Sequence, residues 1–135
     1  AHELATSLVF TPGIIHFADD PQVYAGFPAE ARSVMRDAPA MWDETRCLLG
    51  EPGRVVVLAR RSGESWFIAG INGTAAELPL ELDLSAFTSS TKATLIREGE
   101  DKQMSLTAEE IKPAAKWAHT LPARGGFVIR FDKQR

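Results

Sequence analysis

With a single cysteine in 135 residues, the chain cannot form an internal disulfide. No apolar run approaches the ~20 residues an α-helix needs to cross a bilayer, and no basic start followed by an apolar stretch opens the sequence. A membrane is therefore not an expected partner, and no targeting address is visible. Histidine is scarce as well: His2, His16 and His119 offer no short metal-ligand spacing. There is no glycine-rich phosphate loop after a strand and no serine in a nucleophile elbow. Positive charge has no surplus either. The 15 basic residues against 18 acidic ones leave a net charge of −3 and a pI near 5.6, which supplies no field for a phosphate backbone and excludes nucleic acid as a partner.

What is present is 44% apolar content, enough for one core in a chain of this length. The sequence begins without methionine in the middle of an amphipathic pattern, which reads as a piece of something longer. In residues 1–40, Leu4, Leu8, Val9, Ile14, Ile15 and Phe17 recur at helical spacing, interrupted by Pro12 and Gly13. A helix ending near Phe10, or two short helices joined by a kink, is predicted. "DDPQVYAGFP" breaks regularity, and "PAEARSVMRDAP" predicts a second helix that starts at Pro28 and stops before Pro39.

After Trp42 the texture changes to β-branched and aromatic residues with a turn signal about every ten residues. "TRCLLG", "GRVVVLARR", "SWFIAGIN", "ELPLELDL", "TKATLIRE" and "GGFVIRF" each read as a strand, with "RSGES" as a hairpin turn between the second and third. Pro79 places its strand at an edge or near its own start. One more short strand is expected around Trp117. The fold class is mainly β with an N-terminal helical segment, and the β part is an antiparallel sandwich or Greek-key domain of six to eight strands. Cys47, in an alternating apolar run, reads as a small buried hydrophobe.

The candidate chemistry is thin. Asp43 and Glu44 are adjacent, so in a strand they point to opposite faces and cannot serve one substrate as an acid and base pair. Asp19 and Asp20 before Pro21 lack the spaced ligands and glycine of a calcium loop, and read as cap or turn residues. Trp42, Trp66 and Trp117 are candidates for carbohydrate binding, since a flat ring buries the apolar face of a pyranose. Against that, Trp66 and Phe67 are neighbours on a strand whose two faces are both largely apolar, as in a strand covered on both sides. No catalytic and no metal-ligating residue is assigned.

The order of the segments carries more. "AHELATSLVFTPGIIHFADDP", then "MWDET", then "VVVLARRSGESWFIAGINGTAAELPLELDLS" and a closing "PARGGFVIRF" resemble the C-terminal end of glycoside hydrolase family 97, which comprises bacterial α-glucosidases and α-galactosidases. The resemblance implies an enzyme with an N-terminal β-supersandwich, a (β/α)8 barrel and a C-terminal antiparallel β-domain. Residues 1–40 would be the last barrel helix plus a linker, and 41–135 the C-terminal β-sandwich. The family's catalytic and calcium-binding glutamates would lie upstream of Ala1, so no catalytic residue and no cofactor is carried onto this chain, and Glu44 of "WDET" matches neither set. The partners implied are the catalytic barrel of the parent chain and a further copy in a homo-oligomer, with a periplasmic or secreted location. The domain would be non-catalytic and structural; a carbohydrate-binding module using Trp42, Trp66 or Trp117 is the alternative. The apolar stripe of Leu4, Leu8 and Val9 needs a cover, so a separated helix is expected to fold back on the β-domain or to self-associate.

Overall fold

The structure is a computed structural model and describes residues 1–10, 14–18, 20–87, 93–99 and 105–131. Eight strands lie among the described residues, every pair of neighbours antiparallel. β1 (Glu44–Glu51), β2 (Val55–Ser62) and β3 (Ser65–Asn72) form a meander. β4 (Leu78–Leu82) then leaves it for a second sheet. β5 (Ala93–Glu98) and β6 (Leu106–Ile111) return to the first sheet, β7 (Trp117–Leu121) pairs with β4, and β8 (Gly126–Phe131) closes between β3 and β5. The result is a six-stranded sheet in the order β1-β2-β3-β8-β5-β6 beside a two-stranded sheet β4-β7.

Local chemistry explains the main turns. The β2-β3 hairpin pairs Ser62 with Ser65 across two residues, and Gly63 takes the positive φ of 58° that a tight hairpin requires at its first central position. Asp83 ends the β4 pattern early. Its Oδ1 accepts from the Ser85 amide at 2.9 Å and from the Ser85 hydroxyl at 2.6 Å, folding the chain into a 3₁₀ turn at Ser85–Phe87.

The period-2 alternation sends two sets of side chains to opposite faces of the large sheet. Val57, Ala59, Ile68, Leu95, Phe127 and Ile129 meet Leu78, Leu80, Leu82 and Leu121 of the small sheet, which makes a sandwich core. Phe67, Ala69, Ile71, Ile96 and Val128 face the other way, onto helices. The helix α1 (His2–Val9) lays Leu4, Ala5, Leu8 and Val9 on β3 and β8, and α3 (Ala29–Asp37) adds Ala31 and Val34. Each fully buried Leu or Val contributes about 1.5–3 kcal/mol of transfer free energy. The expected stripe on α1 is thus covered by the sheet of the same chain, the fold-back outcome.

Three local readings change. Cys47 is exposed, not buried. It sits on the edge strand β1 just where the register shifts, Cys47 facing Leu58 while Leu49 faces Val57, and this bulge inserts Leu48 and breaks the alternation. Pro21–Ala25 forms a short helix, α2, in the stretch read as irregular, because Asp20 Oδ1 accepts from the Gln22 amide at 2.8 Å and Pro21 suits a first helical position. β6 was not anticipated. Its "LTAEEI" carries adjacent acids tolerated at a sheet edge. Asp19, Pro12 and Gly13 lie outside the described residues.

Candidate functional site

The three tryptophans occupy different places. Trp66 is 9% exposed in the sandwich core, its ring edge-on to Phe87 at 5.0 Å, with the Arg46 guanidinium 4.7 Å from its centroid. Trp117 is half-buried on the same side of the large sheet, stacked on His119 at 5.1 Å and tilted against Phe127 at 5.3 Å. Trp42 packs on the helix side, edge-on to Phe67 at 5.5 Å, with the Arg60 guanidinium 5.6 Å from its centroid. Trp42 is therefore separated from the other two by the sheet, and the three rings do not share one platform.

Glu44, Asp43 and Asp37 are each engaged by arginine. Glu44 receives Arg46 Nε at 2.7 Å and Arg61 Nε at 3.3 Å; these hydrogen bonds, Arg46 first, hold its carboxyl below the ordinary range. Asp43 Oδ2 accepts from the Gly63 amide at 2.7 Å and lies 3.5 Å from Arg61 Nη1, so the acidic pair ties the start of β1 to the β2-β3 turn. Asp37 is held low by Arg130, which donates at 2.8 Å, and then by Arg36. Among the described residues no three His, Cys, Asp or Glu side chains gather as metal donors.

Buried polar chemistry appears where sequence patterns gave no signal. Asn72 is completely buried at the end of β3, and its side chain makes four hydrogen bonds. Nδ2 donates to the carbonyls of Ala76 at 2.8 Å and Pro122 at 2.9 Å; Oδ1 accepts from the amide and hydroxyl of Thr74 at 2.9 and 2.8 Å. Its four hydrogen-bonding capacities are all used, which pins the 72–76 loop to the turn before β8. Glu98 Oε1 accepts from the amides of His2 at 3.2 Å and Gly126 at 3.0 Å, anchoring the N-terminal end of α1 to the sheet. Arg60, 7% exposed, donates through Nη2 to the Val9 carbonyl at 2.8 Å and closes the opposite end of the same helix. Burial pulls the Arg60 guanidinium below its ordinary pKa. Burial, and then the charge of Arg97, lowers His119 in the same way.

A groove of about 640 Å³ opens beside α1 and reaches Ser105 and Leu106 at the edge strand β6. Phe10, Ile14, Phe17, Val23, Tyr24 and Phe27 form its apolar lining, and Ala1 lies at its margin. Tyr24 stands edge-on to Phe17 at 6.4 Å and to Phe27 at 5.8 Å, giving the wall a defined aromatic shape. The irregular "DDPQVYAGFP" concealed this feature, because the rings come together only once α2 turns the chain.

Residues 41–132 match the family described as glycosyl-hydrolase 97 C-terminal, oligomerisation. A retaining α-galactosidase of Bacteroides thetaiotaomicron is 30% identical over 134 residues, covering 95% of this chain and 20% of that protein. A probable retaining α-galactosidase of Streptomyces bingchenggensis is 45% identical over 85 residues, 61% of this chain and 13% of its own length. The crystal structure of a β-arabinopyranosidase superposes with a TM-score of 0.79 at 31% identity, covering 96% of this chain and 20% of that one. The chain thus spans a fifth or less of the length of these relatives. Because the family match begins just before Trp42 and runs through all eight strands, the chain belongs to the glycosyl-hydrolase 97 C-terminal oligomerisation family.

Proposed function

We propose that this chain is the non-catalytic C-terminal domain of a longer retaining α-galactosidase, in which it supports the catalytic barrel and contributes to contacts between copies. The observation that carries this reading is the family match across 41–132, joined to relatives named as α-galactosidases that are five or more times longer. The commitments of the acidic residues support a structural role: Glu44, Asp43 and Asp37 are each engaged by arginine, so none stands free as a nucleophile or proton donor. A glucoside substrate, also implied by the family resemblance, is the finer alternative at the same site of the parent. Calcium, where the parent uses it, would be held by residues outside this chain. Among the described residues no helix is long and apolar enough to cross a membrane, and export to the periplasm or medium follows from the family resemblance.

The full-length protein is expected to cleave 4-nitrophenyl α-galactoside with retention, while this chain alone is inert toward both the α-galactoside and the α-glucoside. Hydrolysis by the isolated chain would overturn the reading. Light scattering on the full-length protein with and without residues 41–135 tests the assembly role, and an unchanged mass would remove it.

A further inference from the structure

We propose that Asn72-Gly73 is a latent deamidation site, sealed in the folded domain and released when the 72–76 loop opens, so that the loop carries a one-way chemical record of its own opening. Asn72 is the single asparagine of the chain, and the residue after it is glycine. That pairing favours deamidation, because a glycine has no side chain to hinder its amide nitrogen as it approaches the asparagine carbonyl carbon. Each of the two residues is held in place by a different structural demand. Position 72 needs donors and an acceptor in one buried side chain, for the Ala76 and Pro122 carbonyls and for Thr74. Position 73 needs a missing Cβ, because the β1-β2 turn passes close to it. A Cβ there would stand 3.2 Å from the Gly53 carbonyl oxygen and 3.5 Å from that of Arg54. The labile pair is thus a by-product of two separate packing requirements.

In the reaction the backbone nitrogen of Gly73 gives up its proton and attacks Cγ of Asn72. Nδ2 leaves as ammonia, and a cyclic succinimide remains. Water then opens the ring at either carbonyl, giving aspartate, or isoaspartate with the main chain running through Cβ and Cγ. The sum is asparagine plus water to acid plus ammonia, with no change of oxidation state. In the fold each participant is occupied. The Gly73 N–H donates to the Arg54 carbonyl at 2.8 Å, which turns the attacking nitrogen toward the β1-β2 turn. Nδ2, the leaving group, donates to two carbonyls, Oδ1 accepts from Thr74, and the residue is 0% exposed, so water does not reach Cγ. The Asn72 amide also donates to the Gly125 carbonyl at 2.9 Å, and the Arg124 amide to the Thr74 carbonyl at 2.9 Å. Ring closure requires the Gly73 and Asn72 side-chain contacts to be released together, so its rate reads out local opening. Neither product restores the seal. Aspartate presents no donor to the two carbonyls and, ionised, is costly to bury. Isoaspartate lengthens the main chain by a methylene at the end of β3, where position 72 pairs with Val55.

The test follows, in the full-length protein at mildly alkaline pH, the peptide that carries Asn72, in native buffer and in concentrated guanidinium chloride. Mass spectrometry with isoaspartyl methyltransferase labelling is expected to find deamidation in guanidinium and a rate about a hundredfold or more lower in native buffer. Gly73→Ala, read only in guanidinium where no folding is needed, should slow the reaction. Equal native and denatured rates would overturn the proposal, as would an alanine variant that reacts as fast as the wild type. On return to native buffer, unmodified chains should regain protection of the Gly73 and Thr74 amides against exchange, and modified chains should not. Recovery by modified chains would overturn the one-way step. If the full-length protein does not refold, Asn72→Asp expressed directly stands in for the product. Its Gly73 and Thr74 amides should exchange about tenfold or more faster than in the wild type, and wild-type exchange would overturn the same step.

Discussion

Gly70 is the tightest point in the sandwich core, and adding one methyl group there should be costly. It faces Phe127 across the β3-β8 pair. A Cβ built on Gly70 would stand 2.8 Å from Phe127 Cζ and 3.0 Å from Cδ1, with Cε1 nearer still. The ring has nowhere to go: Phe127 is 0% exposed and is hemmed in by Trp117 at 5.3 Å and His119 at 5.5 Å. Overpacking of this kind costs about 1–3 kcal/mol. Replacing glycine by alanine also removes about 0.4–1 kcal/mol of unfolded-chain entropy when the backbone allows it. The clash is the larger effect, so Gly70→Ala should destabilise by about 1–2 kcal/mol, or roughly 3–10 °C in melting temperature at this chain length. Urea unfolding should show a lower midpoint at an unchanged slope. Phe127→Leu removes Cε1 and Cζ, the two nearest atoms in conflict, so Gly70→Ala in that background should cost about 1 kcal/mol less than it does alone. Wild-type stability of Gly70→Ala, or strict additivity in the double variant, would refute the reasoning.

Two further outcomes follow from buried polar groups. His119 titrates near 6.5 when unfolded and lower when folded, because burial and then Arg97 disfavour its cation. The unfolded state therefore binds more protons once the pH drops toward 6.5. Its contribution to stability is complete above that pH and is lost as pH falls through the folded pKa. His119→Gln should flatten the stability profile in that window, and an NMR titration of His119 with a midpoint at or above 6.5 would contradict it. Asn72→Asp turns both donors aimed at the Ala76 and Pro122 carbonyls into acceptors and buries a charge. It should cost about 3 kcal/mol or more, and more at pH 7 than at pH 4; a variant equally stable at both would show that the site admits water.

The alternation in "VVVLARR" and "SWFIAGIN" made the central hairpin legible, because the faces of β2 and β3 follow directly from side-chain parity and Gly63 supplies the turn. The apolar character of both faces of β3 likewise pointed to cover on two sides, and the fold provides it with the small sheet on one face and α1 on the other. Edges were harder. Cys47 was misread because a one-residue bulge is invisible to a period-2 pattern, and β6 was missed because strand pairing, not side-chain character, holds "LTAEEI" in place. The groove was legible only as scattered apolar residues. Its assembly depends on the Asp20 cap and the close approach of α2, a tertiary event that no window of sequence contains.

How such a domain can take part in an assembly is constrained by the same features. The large sheet has its central faces covered, which leaves its edge strands as sites where another chain could add by backbone pairing. Both edges are protected. β1 carries Glu44, Arg46 and Glu51 together with the bulge at Cys47–Leu49, and β6 carries Glu109 and Glu110. Charges and bulges of this kind oppose strand addition. The outward residues of the small sheet, Pro79, Glu81, Ala118 and Thr120, offer little apolar area, and Glu81 lies within reach of Lys116 at 4.0 Å. The large apolar side chains most open to water among the described residues, Phe10, Ile14, Val23 and Met41, lie outside both sheets, so they and not the strand edges offer apolar contact area.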